Sequence, residues 1–341
     1  MNSEERIINT LCRKEVDRVP VFEWTIDKKV INAICPGHTY EQFVYDMNLD
    51  AICIDLDYEK EEIEPGIFRD EWGALKKYST EEHSVSFKGC IKTLKDFKKY
   101  EPPDPHSPDR FITLEKALNK HKGKKAIILH LNDVVSIPRS LLGYEEFLMD
   151  TISEPELVKN LVELSVDINL KLAKEATARG IKIIYTGDDF AYNSGPLVSP
   201  ERFKEIFYKG YSKVMKGFKE LGLYVIKHTD GNIWPIIDMI ISPGIDCLDP
   251  IDPQAGMDIS SVKSRYGDRI AIKGNVDCAH TLTFATKEEV IEETKKCLHD
   301  GAPGWGYILS SSNSIHSAVK PDNYIAMLET LKKYGKYPIK I

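Results

Sequence analysis

The sequence predicts an α/β fold: a single (β/α)8 TIM barrel with a β-hairpin insertion between its second and third strands. Three observations lead there. Eight short apolar runs recur along the 341 residues, and each ends in polar or ionisable side chains. Helical patterns lie between them, and strand–helix alternation implies parallel pairing. A doubly wound open sheet would carry a glycine-rich phosphate loop after its first strand, where this chain reads EWTIDKK.

The elements follow in order. Ser3–Lys14 forms an amphipathic helix, with Ser3 as its cap and Ile7, Ile8 and Leu11 on one face. Arg18–Glu23 is the first strand and Asp50–Asp57 the second. The stretch to the third strand is too long for one helix, so an insertion at about 58–108 is expected. It contains a hairpin from Gly66–Tyr78 and Ser84–Ile91, then the stiff proline loop Glu101–Pro108. Lys125–Asp133 is the third strand and Glu154–Arg179 the helix before the fourth, Lys182–Asp189. Ser199-Pro200 opens the helix Glu201–Leu221 by a cap and a first-turn proline. The fifth strand is Leu223–Asp230, an apolar run turning polar at Lys227, His228 and Asp230. Gly244–Asp249, Arg269–Asn275 and Tyr307–Ser312 complete the eight, with helices at Trp234–Ile241, Ile259–Tyr266, Lys287–His299 and Pro321–Tyr334. Residues 1–341 read as one barrel domain.

Composition excludes several classes. Hydrophobic residues make up 42% and charged residues 29%, ordinary for a globule with a large core. A net charge of −7 argues against nucleic acid or an anionic membrane as partner. The longest apolar run falls short of a membrane span, and the first residues carry acids and bases with no apolar signal core. Seven widely spaced cysteines without a CxxC do not form a disulfide framework, so a reducing cytoplasm is expected.

Barrels place their chemistry at the C-terminal ends of the strands. Those ends supply Glu23 and Trp24; Asp55 and Asp57; His130, Asn132 and Asp133; Asp188 and Asp189; His228 and Asp230; Asp249 and Asp252; Lys273, Asn275 and Asp277; Ser310, Ser311, Asn313 and His316. His228 and Asp230 stand two apart and can face one side, and imidazole with carboxylates suits zinc with an open position. The alternative stays open: Asp230 orients His228 or caps the next helix, and no metal is held. His228, Asp188 and Asp189 are the expected catalytic residues. The loop from Phe190 through Tyr192 and Asn193 to Pro200 is aromatic and amide-rich, either one wall of a flat pocket or packing over the barrel. The expected substrate-binding residues are Glu23, Trp24, Asp55, His130, Asn132, Phe190, Tyr192, Asn193, Asn275, Ser311 and His316. Cys278 and His280 form a further candidate ligand pair, with Cys278 reading better as a small packed hydrophobe.

Several motifs together resemble the uroporphyrinogen decarboxylase superfamily. They are the opening DRVPV, DEWG at Asp70–Gly73, GDDFAYNSGPLVSPERFKEIF, HTDGN, IKGNVD and SSSNSIHSAVKPDNY. The resemblance runs from about Asn2 to Tyr334 and implies a (β/α)8 barrel. Decarboxylases of the superfamily carry an Arg-rich RQAGR segment near the N-terminus, whereas Trp24–Gly37 here has no arginine. Members that methylate coenzyme M carry an H-x-C motif and a distant cysteine as zinc ligands. Here those cysteine positions hold Asp230 and a residue near Ser314. HTDGN and GDDFAYNSGP are most similar to the methyltransferases of aryl methyl ether O-demethylases. That resemblance implies methyl transfer from a methoxylated aromatic to cob(I)alamin on a separate corrinoid protein, because the chain shows no D-x-H-x-x-G cobalamin signature. It also implies charge relief on the departing oxygen, by a metal at His228 or by protonation from His228 or Asp188. The competing expectations are methyl transfer from methylcobalamin to coenzyme M or tetrahydrofolate, decarboxylation of uroporphyrinogen, or a non-enzymatic scaffold for a corrinoid protein.

Overall fold

The computed structural model describes residues 1–78 and 84–341. Among these the chain runs through β1 (Ala51–Ile54), β2 (Lys60–Glu64), β3 (Ile67–Asp70), β4 (Leu75–Tyr78), β5 (Ser84–Lys88), β6 (Ala126–Leu131), β7 (Ile183–Thr186), β8 (Ala191–Tyr192), β9 (Gly195–Pro196), β10 (Tyr224–His228), β11 (Cys247–Asp249), β12 (Ala271–Val276) and β13 (Tyr307–Ser311). Seven of them make one curled parallel sheet in the order β1-β6-β7-β10-β11-β12-β13. That order is the chain order, as right-handed strand–helix–strand units dictate.

The strand expected at Arg18–Glu23 is not part of that ladder. Val21 instead bridges the seam between the two edge strands. It pairs in parallel with Leu309 of β13, and its carbonyl accepts from the Asp50 amide just before β1 at 2.7 Å. Two features keep the segment from growing into a full strand. Pro20 has no N–H to offer. The Val21 N–H is taken by the Asp50 carboxylate at 2.9 Å, not by a strand carbonyl. Asp50 is fully buried and also receives Arg6 Nη1 at 2.7 Å and Arg18 Nη1 at 2.8 Å.

Period-two alternation divides the sheet into two faces. The concave face carries Ala51, Ala126, Ile128, Ile183, Tyr185, Ile226, Cys247, Ala271 and Ile308, which pack as one cluster. Ile7 and Leu11 of the first helix, Ser3–Leu11, join this cluster and pack against the concave face. Asn2, not Ser3, caps that helix, in a capping box with Glu5. The convex face, including Ile127, Leu129, Ile184, Val225, Leu248 and Leu309, packs against helical residues such as Leu161, Val214, Phe218, Val262, Leu298 and Met327.

A single hairpin is expected between β1 and β6, and a four-stranded antiparallel sheet, β2-β3-β4-β5, stands there. The link between β4 and β5, residues 79–83, lies outside the described residues. No helix among the described residues is long and apolar enough to cross a membrane.

Candidate active site

The inward alternation that builds the core also delivers the site. One step of two beyond Ile128, Ile183, Ile226, Cys247 and Ala271 brings His130, Tyr185, His228, Asp249 and Lys273 to the same face. His228 and Asp249 are register partners on β10 and β11.

His228 is 3% exposed, and its Nδ1 lies 2.7 Å from Asp249 Oδ2. A carboxylate can only accept, so Nδ1 carries the proton. The Tyr185 hydroxyl donates to the same carboxylate oxygen and stands 2.9 Å from Nδ1. Lys273 Nζ holds the other Asp249 oxygen at 2.7 Å. Burial alone would raise the Asp249 pKa, but the Lys273 charge and the His228 contact outweigh it and hold the carboxyl at about 2.

The other ring nitrogen, Nε2, faces Asp230 Oδ1 at 3.5 Å and Asp189 Oδ1 at 3.7 Å. Asp230 Oδ2 accepts from the Asn313 side-chain amide, while its buried Oδ1 has no hydrogen-bond donor among the described residues. Burial pushes the Asp230 carboxyl up to about 7; His228 pulls it down, and Asp189, Asp252 and Asp249 push it further up. Burial lowers the His228 pKa, but Asp230, Asp249 and Asp189 overcome this and raise it to about 9. The nest is therefore over-supplied with negative charge.

That is the test a cation site must meet. One oxygen each of Asp189 and Asp230 and one nitrogen of His228 lie within 4.8 Å of one another. Asp230 Oδ1 is an orphaned buried acceptor aimed into the group. Asp249 behind Nδ1 is the carboxylate–histidine support usual behind metal-bound imidazoles. The set fits a divalent cation such as zinc with three protein ligands and an open position. Cys278 and His280 form no ligand cluster among the described residues. Cys278 is buried and accepts from Ser312 Oγ at 3.4 Å.

The structure separates the adjacent pair Asp188 and Asp189. Asp188 is fully buried, and its Oδ2 accepts from the backbone amides of Asp133 at 3.1 Å, Val135 at 2.5 Å and Ser136 at 3.1 Å. It caps the helix Ser136–Leu142 from outside the His228 nest. Burial is outweighed by the Asp133 side chain, Lys227 and these amides, so its carboxyl stays at about 2. A group so held has no proton to give, which corrects the expectation of Asp188 as an acid.

Trp24 stands beside the nest, with ring centroids 5.3 Å from His228, 5.2 Å from Tyr185 and 4.7 Å from His130. Beyond it opens a cavity of about 810 Å³. Its floor includes Trp24, Asp55, His130 and Gly187; its roof includes Tyr58, Trp72, Lys76 and Ser86 of the inserted sheet region; Asn132, Arg139 and Tyr144 form one side. His130 Nδ1 is 2.7 Å from Asp55 Oδ1. A side chain at Gly187 would meet His130 Nε2 at 2.5 Å, so only glycine leaves the imidazole its place. Gly231, at φ +87°, lets HTDGN turn beneath the β8–β9 hairpin, where a Cβ would strike the Tyr192 carbonyl at 2.7 Å.

Of the residues expected to bind substrate, Trp24, Asp55, His130 and Asn132 line the cavity. Glu23 and Ser311 lie buried and bond each other, Ser311 Oγ donating to Glu23 at 2.8 Å. Phe190 does not face the site. It packs on Phe203 at 5.1 Å and Tyr211 at 5.4 Å, with Lys227 Nζ 4.1 Å over its ring. Asn275 is tied to the Ile251 carbonyl at 2.6 Å, and His316 lies 3.2 Å from the Cys278 carbonyl. Tyr192 and Asn193 are exposed at the loop tip. Tyr185 and Arg139 were not expected at the site; Asp249 and Lys273 were expected only as strand ends.

Comparison with known proteins places this arrangement. Residues 73–334 match the family Uroporphyrinogen decarboxylase (URO-D). The chain belongs to the uroporphyrinogen decarboxylase family. Among curated relatives, a "Uroporphyrinogen decarboxylase" of Psychromonas ingrahamii is 25% identical over 175 residues, 50% of this chain and 46% of that protein. A "Methylated-thiol--coenzyme M methyltransferase" of Methanosarcina mazei is 22% identical over 188 residues, 55% of this chain and 49% of that protein. The chain spans about half the length of these relatives. Among solved structures, a "methyltransferase from Methanosarcina mazei" superposes with a TM-score of 0.77 at 17% identity, covering 98% of this chain and 99% of that one. That likeness shows a shared fold. Family members therefore include both decarboxylases and a methyltransferase.

Proposed function

We propose that residues 1–341 act as one unit, the substrate-side methyltransferase of an O-demethylase system. It takes the methyl group of a methoxylated aromatic, or of a similar methylated small molecule, and passes it to cob(I)alamin on a separate corrinoid protein. The observation that carries this reading is the Asp189–His228–Asp230 trio set beside a Trp24-walled cavity.

The chemistry follows from the leaving group. A phenolate leaves poorly unless charge on its oxygen is relieved as the methyl carbon–oxygen bond breaks. The electron pair stays on oxygen, and the methyl carbon bonds to the cobalt of the partner's corrinoid. Asp189, His228 and Asp230 would hold zinc, which supplies a Lewis acid for that oxygen. Asp249, backed by Lys273 and Tyr185, keeps the proton on Nδ1 and leaves Nε2 turned to the trio. Trp24 and the cavity walls fix the ring, so that much of the barrier is met by positioning.

Thiol methylation is the less favoured reading, because Asp230 stands where the coenzyme M enzymes' motif has a thiolate, and the distant cysteine position falls near Ser314. Decarboxylation of a polyanionic tetrapyrrole is less favoured because Trp24–Gly37 offers no arginine.

The decisive experiment combines the purified protein, its reduced corrinoid partner and a methoxybenzoate, and follows methylation of the corrinoid by its spectrum. No transfer from any methoxylated aromatic, together with release of coproporphyrinogen from uroporphyrinogen, overturns the assignment. Metal analysis of wild type against His228→Ala tests the zinc separately, and equal zinc in both removes His228 as a ligand.

A further inference from the structure

We propose that Arg139 is the anion-binding residue of the cavity, and that the methyl donor is an aromatic carboxylate. The methyl ether part of this rests on the function proposed above; the anion rests on the charges lining the cavity.

Three of the carboxylates lining the cavity are matched by a nearby cation or imidazole. Asp55 meets His130 at 2.7 Å, Asp70 meets Lys76 at 2.9 Å and Glu71 meets Arg110 at 2.6 Å. Lys60 Nζ sits 5.2 Å over the Phe68 ring, and Glu59 is exposed to water. Arg139 differs. Among the described residues it pairs with no carboxylate; its partners are Ser136 Oγ at 3.5 Å and the Tyr144 ring, 6.0 Å from the guanidinium carbon. It is only partly exposed and lines the cavity.

A guanidinium cannot shed its charge and presents five donors in a planar fork. Drawn partly out of water with one long contact, it leaves donors that a bidentate carboxylate would satisfy. The cavity, at about 810 Å³, is of a size for a small ligand, and Trp24, Tyr58, Trp72 and Tyr144 give it aromatic walls. A flat ring with a carboxylate at one end fills that space. The carboxylate sits on Arg139, and the methyl ether points to Trp24 and the His228 nest behind it.

The test measures binding, so it does not need the corrinoid partner. Quenching of the tryptophan fluorescence is titrated with para-methoxybenzoate and with neutral para-methoxybenzyl alcohol, for wild type, Arg139→Gln and Arg139→Lys. Wild type is expected to prefer the carboxylate by about 10- to 100-fold, the worth of a hydrogen-bonded charge pair. Arg139→Gln erases that preference while keeping its affinity for the alcohol, which reports an intact fold; Arg139→Lys restores part of it. No preference in wild type, no binding of either compound, or an undiminished preference in Arg139→Gln overturns the proposal. A preference that Arg139→Gln erases, in a protein that never methylates the corrinoid, sinks the function above and leaves this site standing.

Discussion

His228 Nδ1 and Asp249 Oδ2 lie 2.7 Å apart on adjacent strands at matched register, both buried. The pair fixes which imidazole nitrogen is available to the cavity side. Asp249→Asn keeps the shape but loses the charge that enforces this tautomer. A 10- to 100-fold loss in zinc affinity or in methyl transfer is expected, the usual effect of removing such a supporting carboxylate. Metal titration and kcat/KM measure it, and unchanged values for both would show that His228 is oriented by something else.

If Asp189, His228 and Asp230 hold zinc as proposed, the ion would stabilise the folded state by mass action. At one hundred times its dissociation constant the gain is about 2.7 kcal/mol. The melting temperature of wild type should therefore rise by several degrees on zinc addition and fall back with a chelator. His228→Ala should show neither response.

Glu23 predicts a pH slope. Burial pushes its carboxyl up from the ordinary 4.5 to about 7; the Lys273 charge and the Ser311 bonds oppose this without cancelling it. The native state thus binds a proton that the unfolded chain has already released. Its contribution to stability is full below pH 4.5 and is lost as pH rises to about 7, by about 3 kcal/mol in all. Denaturant titrations across that range should show a shallower decline in Glu23→Gln than in wild type, because the amide does not titrate.

Asp50 joins Arg6, Arg18 and the Val21 amide at the seam of the sheet. Asp50→Ala leaves two guanidinium groups without their buried partner. A loss of about 3–5 kcal/mol is expected in equilibrium unfolding. A loss under 1 kcal/mol would mean that water or Asp17 replaces the carboxylate.

Much of this was legible in the residues. Apolar runs ending in acids and imidazoles gave the parallel sheet and placed His228, His130 and Trp24 at one end. Other features depended on information that a linear pattern does not carry. Asp188 and Asp189 are chemically identical neighbours, and only the backbone amides of Asp133, Val135 and Ser136 show that the first belongs to a helix cap. Val21 has a strand's composition, but a carboxylate from the next segment occupies its N–H. Tyr185 reads as a core residue until the register sets its hydroxyl against Asp249. Phe190 sits in a loop that looks like a pocket wall, yet its ring turns to Phe203 and Tyr211. Arg139 lies one turn into the helix after β6, where no spacing rule marks it.

The sheet β2-β3-β4-β5 roofs the cavity with Trp72, Lys76 and Ser86, while the nest around His228 hangs on β7, β10, β11 and β12. On the function proposed above, the part of substrate choice that does not rest on Arg139 and Trp24 would thereby lie on a stretch of polypeptide separate from the bond-breaking nest. Exchanging residues 58–108 for the corresponding stretch of a relative should retune which compound is accepted without rewriting the reaction.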